Sequence, residues 1–264
     1  MKIVVVGGSG LVGAKLVSNL RHRGHEVVPA SRRSGVDTLT REGLAEALAG
    51  AEVVVDVTNS ASYHDPEVTQ FFRCSSRNLI EAARAARVKH HMVLSIVGTD
   101  RLLQSSYFRA KMIQEDLVSS SPIPHTILRS TQFYEFMPRI PESDADERTV
   151  RASPALVQPL ASGEVAAALA DLATTAPRNR MIEFAGPECF RLDEIVQRVM
   201  HAYQDRREVV TDTHARYFGA LLAEDTLTPD EGAIIGVGTF EDWLKHSAAR
   251  ATQSRSSELS AMSV

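Results

Sequence analysis

"VVVGGSGLVG", residues 4–13, decides the fold. A β-branched run stops at a glycine cluster, and the apolar pattern that resumes at Leu11 has helical spacing. Gly7, Gly10 and Gly13 give the spacing GxxGxxG. Glycine permits a tight turn, lets the backbone approach a pyrophosphate, and lets the helix pack closely on the strand. Ser9, Leu11 and Val12 complete the turn, whose free amides and helix terminus favour an anion. Leu11 stands where a GxSxG nucleophile elbow needs its second glycine, so Ser9 is no nucleophile. No GK[ST] phosphate loop follows either.

Outward from this turn, short apolar strands alternate with helical patterns. Strands are expected at 2–6, 26–30, 52–57, 91–97 and 125–129, and helices at about 11–22, 41–50, 66–87 and around residue 107. Continuous apolar strands separated by helices imply an α/β protein with a Rossmann-type, doubly wound parallel sheet. After residue 130 the rhythm loosens into an acidic loop at 141–147, helices at 162–173, 191–203 and 239–246, and a strand at 181–186. This reading divides the chain into a dinucleotide-binding core, 1–135, and a smaller substrate-binding α/β region, 136–246, interleaved with it. A stretch without an apolar stripe, 247–264, is expected to be a disordered tail.

With 264 residues, 44% hydrophobic and 23% charged, the chain has the composition of a globular protein with a large core. A net charge of −4 speaks against nucleic acid as a partner. No apolar run reaches the roughly 20 residues that span a bilayer, so no membrane is expected. Glycines break the N-terminal run after five residues, which excludes a signal-peptide core. Cys74 and Cys189 lie outside any CxxC or zinc spacing. A cytoplasmic location is expected. His90 and His91 flank a strand start and read as solvated or capped residues, and no metal site is expected.

The second strand runs into Ser31, Arg32 and Arg33, with no carboxylate before Asp37. An NAD site usually carries an acid here for the ribose hydroxyls. Two guanidiniums instead suit a 2′-phosphate, so NADP(H) is expected over NAD(H). The third strand ends in Val57, Thr58, Asn59 and Ser60, at the carboxyl edge where open α/β sheets bind ligands. These four are candidates for the adenosine and pyrophosphate, although Thr, Asn and Ser suit a plain turn equally well.

"GGSGLVG", "NLIEAARAARVKHHMVLSIVG", "YFRAK" and "IPHTILRSTQFYEF" together resemble the atypical short-chain dehydrogenase/reductases, in particular their NmrA-like NAD(P)H-binding group. The resemblance covers roughly residues 1–185. It implies a catalytic core of Ser or Thr, Tyr and Lys: Tyr107 and Lys111 match YxxxK, and Ser95 fits the serine, with Thr99 as a second candidate. Lysine would bind the nicotinamide ribose and depress the tyrosine pKa, and tyrosine would exchange a proton with a carbonyl oxygen. Phe72 stands where the family carries an asparagine of its proton relay. Thr131, Gln132 and Phe133 fall where the chain would pass the nicotinamide. Phe133, Tyr134 and Phe136 suit either the core or a pocket for a bulky apolar substrate such as a quinone, enone or aryl ketone. The expected function is thus an NADP(H)-dependent oxidoreductase. The alternative is a non-catalytic NADP(H)-binding redox sensor, which the family also contains. An epimerase or dehydratase using tightly held NAD is disfavoured by Arg32 and Arg33.

Overall fold

Each apolar run of the first half forms a strand, and a helix follows most of them. The computed structural model describes residues 1–142 and 148–247. Most of the expected acidic loop and all but the first residue of the expected tail lie outside the described residues. The alternating half comprises β1 (Lys2–Val6), α1 (Leu11–His22), β2 (Glu26–Ala30), α2 (Leu44–Leu48), β3 (Val53–Asp56), α3 (Glu67–Ala85), β4 (His90–Ile96), α4 (Ser106–Ser119) and β5 (His125–Ser130). The later elements are β6 (Thr149–Ala152), β7 (Leu156–Val157), α5 (Ser162–Ala173), β8 (Arg180–Ala185), β9 (Phe190–Arg191), α6 (Leu192–Ala202), β10 (Glu208–Thr211), β11 (Arg216–Tyr217), β12 (Ala220–Leu221) and β13 (Ile234–Ile235).

Seven strands form one sheet in the order β13-β8-β5-β4-β3-β1-β2. Every neighbouring pair is parallel. From β1 the winding goes one way to β2 and the other way through β3, β4, β5 and β8. The switch point, between β1 and β3, is where a Rossmann fold opens its ligand crevice. Strand alternation feeds both faces. Ile3 and Val5 pack with Leu16 and Leu20 of α1 and Val165 and Leu169 of α5. Val4 and Val6 pack with Leu44 and Leu48 of α2 and Leu79 of α3. Each such buried side chain contributes about 1.5–3 kcal/mol, so burial rather than helix propensity holds these layers together.

The helix expected over 41–50 shortens to Leu44–Leu48. Arg41 (φ 69°) and Gly43 (φ 63°) both take left-handed backbone conformations, which a helix cannot continue through. β13 adds an edge strand with no counterpart in the sequence reading. The later half has its own apolar core, including Tyr134, Ile195, Val196, Val199 and Phe240. That core is continuous with Val68 and Phe72 of α3 and Tyr107 and Phe108 of α4. The second lobe is thereby held against the N-terminal turns of the helices beside the crevice.

The histidines at the start of β4 are buried, not solvated. His90 Nε2 meets Thr126 Oγ1 at 2.8 Å, while among the described residues neither ring nitrogen of His91 has a hydrogen-bond partner. Burial holds both down to about 4, against an ordinary value near 6.5. Unfolding therefore takes up protons below pH ~6.5, and stability falls as pH drops from there toward about 4. We expect His91→Met to flatten this loss. Between about pH 7.5 and 4.5 the variant should lose about 2 kcal/mol less than the parent, read from thermal or urea midpoints. Parallel pH curves would show that His91 does not drive the effect.

Candidate active site

At the switch point the glycine turn is built by close contact. A Cβ on Gly7 would lie 2.9 Å from the Val57 carbonyl oxygen, one on Gly8 would strike Pro29, and one on Gly13 would lie 2.1 Å from the Gly7 oxygen. Gly10 precedes α1 and closes the turn by donating its amide to the Gly7 oxygen at 2.9 Å. The first turn of α1 carries no acidic residue, so its amides and dipole face the crevice uncompensated. These bare backbone surfaces fit the pyrophosphate of a dinucleotide.

One cavity of about 1390 Å³ runs from this turn across the carboxyl ends of the strands. Small-molecule pockets are usually about 300–1,000 Å³, so there is room for a dinucleotide and a second ligand. Gly7, Ser9, Gly10, Leu11 and Val12 line it at one end beside Ser31, Arg32 and Arg33. Val57, Thr58 and Asn59 lie along it, then Ser95, Tyr107 and Lys111, then Thr131, Gln132 and Phe133. Gly13 and Ser60, both expected at the ligand, are not in the wall. Gly13 packs under Gly7, and the Ser60 hydroxyl accepts the Ser62 amide at 3.2 Å.

The arginines are presented by a short turn. The Ser31 amide donates to Ser34 Oγ at 2.9 Å, and Ser34 donates on to the Pro29 carbonyl. Gly35 closes the turn at φ 78°. Arg32 lies 3.9 Å from Asp37 and remains 73% exposed, which makes that pair weak. Asp37, the first carboxylate after β2, accepts the Leu39 amide at 2.7 Å.

Tyr107 and Lys111 project from one face of α4 into the cavity wall, as a four-residue spacing requires. The Tyr107 hydroxyl donates to Asn59 Oδ1 at 3.0 Å. The hydroxyls expected beside it are engaged elsewhere. Ser95 donates to Glu115 within a buried cluster that includes Arg129, and Thr99 donates to the Ile96 carbonyl at 2.6 Å. Ser95 points to that side because strand alternation turns it, like Val93, toward α4. Burial, reinforced by Tyr63 and Tyr217, pushes the Tyr107 phenol above its ordinary value. The expected lowering by Lys111 is therefore absent here. The Lys111 ammonium bonds instead to the Leu94 carbonyl at 2.8 Å and to Gln114. Burial draws it down to about 8, with Asp56 and Glu115 pulling the other way. Phe72, in the asparagine's place, is fully buried with Lys111 Nζ 4.9 Å from its ring centroid, a cation–π contact.

Aromatic rings form the far wall. Phe218 stacks on Tyr107 at 5.2 Å, and Tyr63 meets both rings edge-on at 5.1 Å. Phe218 (φ 49°) and Gly219 (φ 83°) form the tip of the β11–β12 hairpin. Of the aromatics after β5, Phe133 and Phe136 stack on each other in the wall, whereas Tyr134 belongs to the core against Phe240 and Trp243. The sequence reading missed Tyr63, Tyr217 and Phe218, which no local pattern ties to the glycine turn. It also missed Asp56 and Gln114, although an acid ending a β-branched run and an amide three residues past Lys111 were visible signals.

The family described as NAD(P)H-binding matches residues 7–176, and the chain belongs to it. Over 149 residues the chain is 26% identical to the photosystem II assembly factor Ycf39 of Cyanophora paradoxa, covering 51% of this chain and 46% of that protein. It thus spans about half the length of the curated relatives it matches. Among solved structures it is similar to the UDP-glucose 4-epimerase of Thermus thermophilus in complex with NAD. The TM-score is 0.71 at 19% identity, over 96% of this chain and 99% of the other. It is also similar to an NADPH-dependent quinone oxidoreductase from Escherichia coli, with a TM-score of 0.62 at 17% identity over 92% and 98%. At these identities the structures establish the shared fold.

Proposed function

We propose that this protein is an NADP(H)-dependent oxidoreductase acting on the carbonyl of a planar, apolar small molecule such as a quinone, enone or aryl ketone. One observation carries the reading: a single cavity joins the glycine turn, Arg32 and Arg33 to Tyr107, Lys111 and a wall of aromatic rings. The dinucleotide, when bound, supplies or accepts the hydride. The chain's residues do the rest. Arg32 and Arg33 grip the 2′-phosphate, Lys111 holds the nicotinamide ribose, and the aromatic wall orients the substrate and excludes water. In the reducing direction Tyr107 gives its hydroxyl proton to the carbonyl oxygen as hydride reaches the carbonyl carbon, and regains a proton from solvent. Apolar walls suit an apolar substrate because displacing their water is favourable.

The second reading is the non-catalytic NADP(H) sensor. The bond from Ser95 to Glu115 favours it, because it leaves Tyr107 without the hydroxyl partner that the resemblance implies. A panel of quinones, enones and aryl ketones with NADPH separates the two, since the sensor turns over none of them.

The cofactor preference has its own test. A charge-assisted hydrogen bond is worth roughly 1.5–3 kcal/mol. Arg32→Ala/Arg33→Ala should therefore weaken NADPH binding at least about tenfold in calorimetry while sparing NADH. Equal losses for both nucleotides would take the 2′-phosphate away from these arginines.

A further inference from the structure

The ammonium of Lys111 is held by a buried chain that begins at the end of β3. Asp56, the last residue of β3, is buried, as are Gln114 and Lys111 of α4. The Gln114 side-chain nitrogen donates to Asp56 Oδ2 at 2.9 Å, and its oxygen accepts from Lys111 Nζ. The other carboxylate oxygen of Asp56 accepts the Thr58 amide at 2.9 Å and the Thr58 hydroxyl at 2.6 Å. The donors around Asp56 leave the carboxamide only one useful orientation, nitrogen toward the acid and oxygen toward the lysine.

Building on the cofactor reading above, we propose that Asp56, acting through Gln114, is the positioning residue that keeps Lys111 oriented and charged at the cavity wall. Lys111 needs that support. Burial alone disfavours an ammonium, and the Phe72 ring beneath it carries no formal charge. Two carboxylates face it: Asp56 from β3 and Glu115 from its own helix. Glu115 is neutralised by Arg129 of β5 at 2.7 Å, itself shared with Asp100 at 3.0 Å. Asp56 has no ion-pair partner among the described residues other than the one it reaches through Gln114. Tyr107, the remaining titratable neighbour on α4, stays protonated far above neutrality because it is buried. Burial pushes the Asp56 carboxyl up, while the bonds from Thr58, the charge of Lys111 and the bond from Gln114 pull it down, so its charge and the lysine's support each other. Asp56 is the acid left to support the lysine, and its bonds to Thr58 tie that support to the loop beside the cavity.

The test is the pH dependence of NADPH affinity, followed by nucleotide fluorescence on the full chain. In the parent, affinity should fall on the alkaline side as Lys111 loses its proton, and Lys111→Met should lack that limb. An opposite charge within about 4–6 Å moves a pKa by about 1–3 units. Asp56→Asn should therefore move the limb to lower pH by about one unit or more. Asp56→Asn/Gln114→Glu, which places a carboxylate directly on the lysine, should bring it back. If Asp56→Asn fails to fold, Gln114→Leu at the same readout should give the same downward shift. An unmoved limb in a folded variant would overturn the inference, as would a uniform loss of affinity at all pH values. Tyr107→Phe separates this inference from the reading it rests on: if turnover survives that change, the reductase reading fails, whatever the limb does.

Discussion

Tyr107→Phe should keep the fold and NADPH affinity and lose turnover of any carbonyl or quinone found as a substrate by screening, by about 10²–10⁴-fold, the usual contribution of a general acid. The change deletes one hydroxyl whose bond to Asn59 lies at the cavity. The ring contacts to Phe218, Tyr63 and Phe108 all survive in phenylalanine. Stability should therefore move by less than about 1 kcal/mol, the net value of one hydrogen bond. Steady-state kinetics with NADPH, beside a thermal melt, measure both quantities. Full activity in the variant would remove Tyr107 from the chemistry. The parent phenol is strongly protonated, so it can deliver its proton across the neutral range.

Gly13→Ala should be the most damaging single methyl in the nucleotide half. Its Cβ would sit 2.1 Å from the Gly7 oxygen and 2.8 Å from Gly8 Cα, both backbone atoms that no side-chain rotation can clear. Overpacking of this kind costs typically about 1–3 kcal/mol and sometimes more. At about 2–4 °C per kcal/mol for a chain of this size, the thermal midpoint should fall by about 2–12 °C. NADPH affinity should fall with it, because the same atoms shape the turn. Gly163→Ala is the control. It lies in the first turn of α5 with nothing within 4 Å of the added carbon, and it should not lower the midpoint. A loss below about 2 °C for Gly13→Ala would mean that the helix yields freely at this crossing.

The doubly wound sheet was legible because it depends on periodicity and on glycine, both local. Residues 4–13 and the buried runs of β1, β3, β4 and β5 each carry their own signal. The helix over 11–22 and that over 162–173 appear at those bounds. The arginine turn and the YxxxK pair could also be read, since spacing along one element suffices. What could not be read is what comes together across elements. Ser95 has the right residue type at the right distance in sequence, yet strand alternation turns its hydroxyl to Glu115. Asn59, read as either a nucleotide contact or a turn residue, reaches the Tyr107 hydroxyl from the neighbouring loop. The stacking of Phe218 on Tyr107 joins residues more than a hundred apart, and only the completed fold supplies that proximity.

The hairpin at Arg216–Leu221 has an evolutionary consequence. The match to the NAD(P)H-binding family ends at residue 176, so the ring that covers Tyr107 comes from outside the shared segment. The two ends of the cavity can therefore diverge at different rates. Rebuilding a six-residue ribbon would reshape that end of the cavity without touching the matched segment. A change confined to this ribbon would alter the wall over Tyr107 and leave the glycine turn at the other end of the cavity untouched.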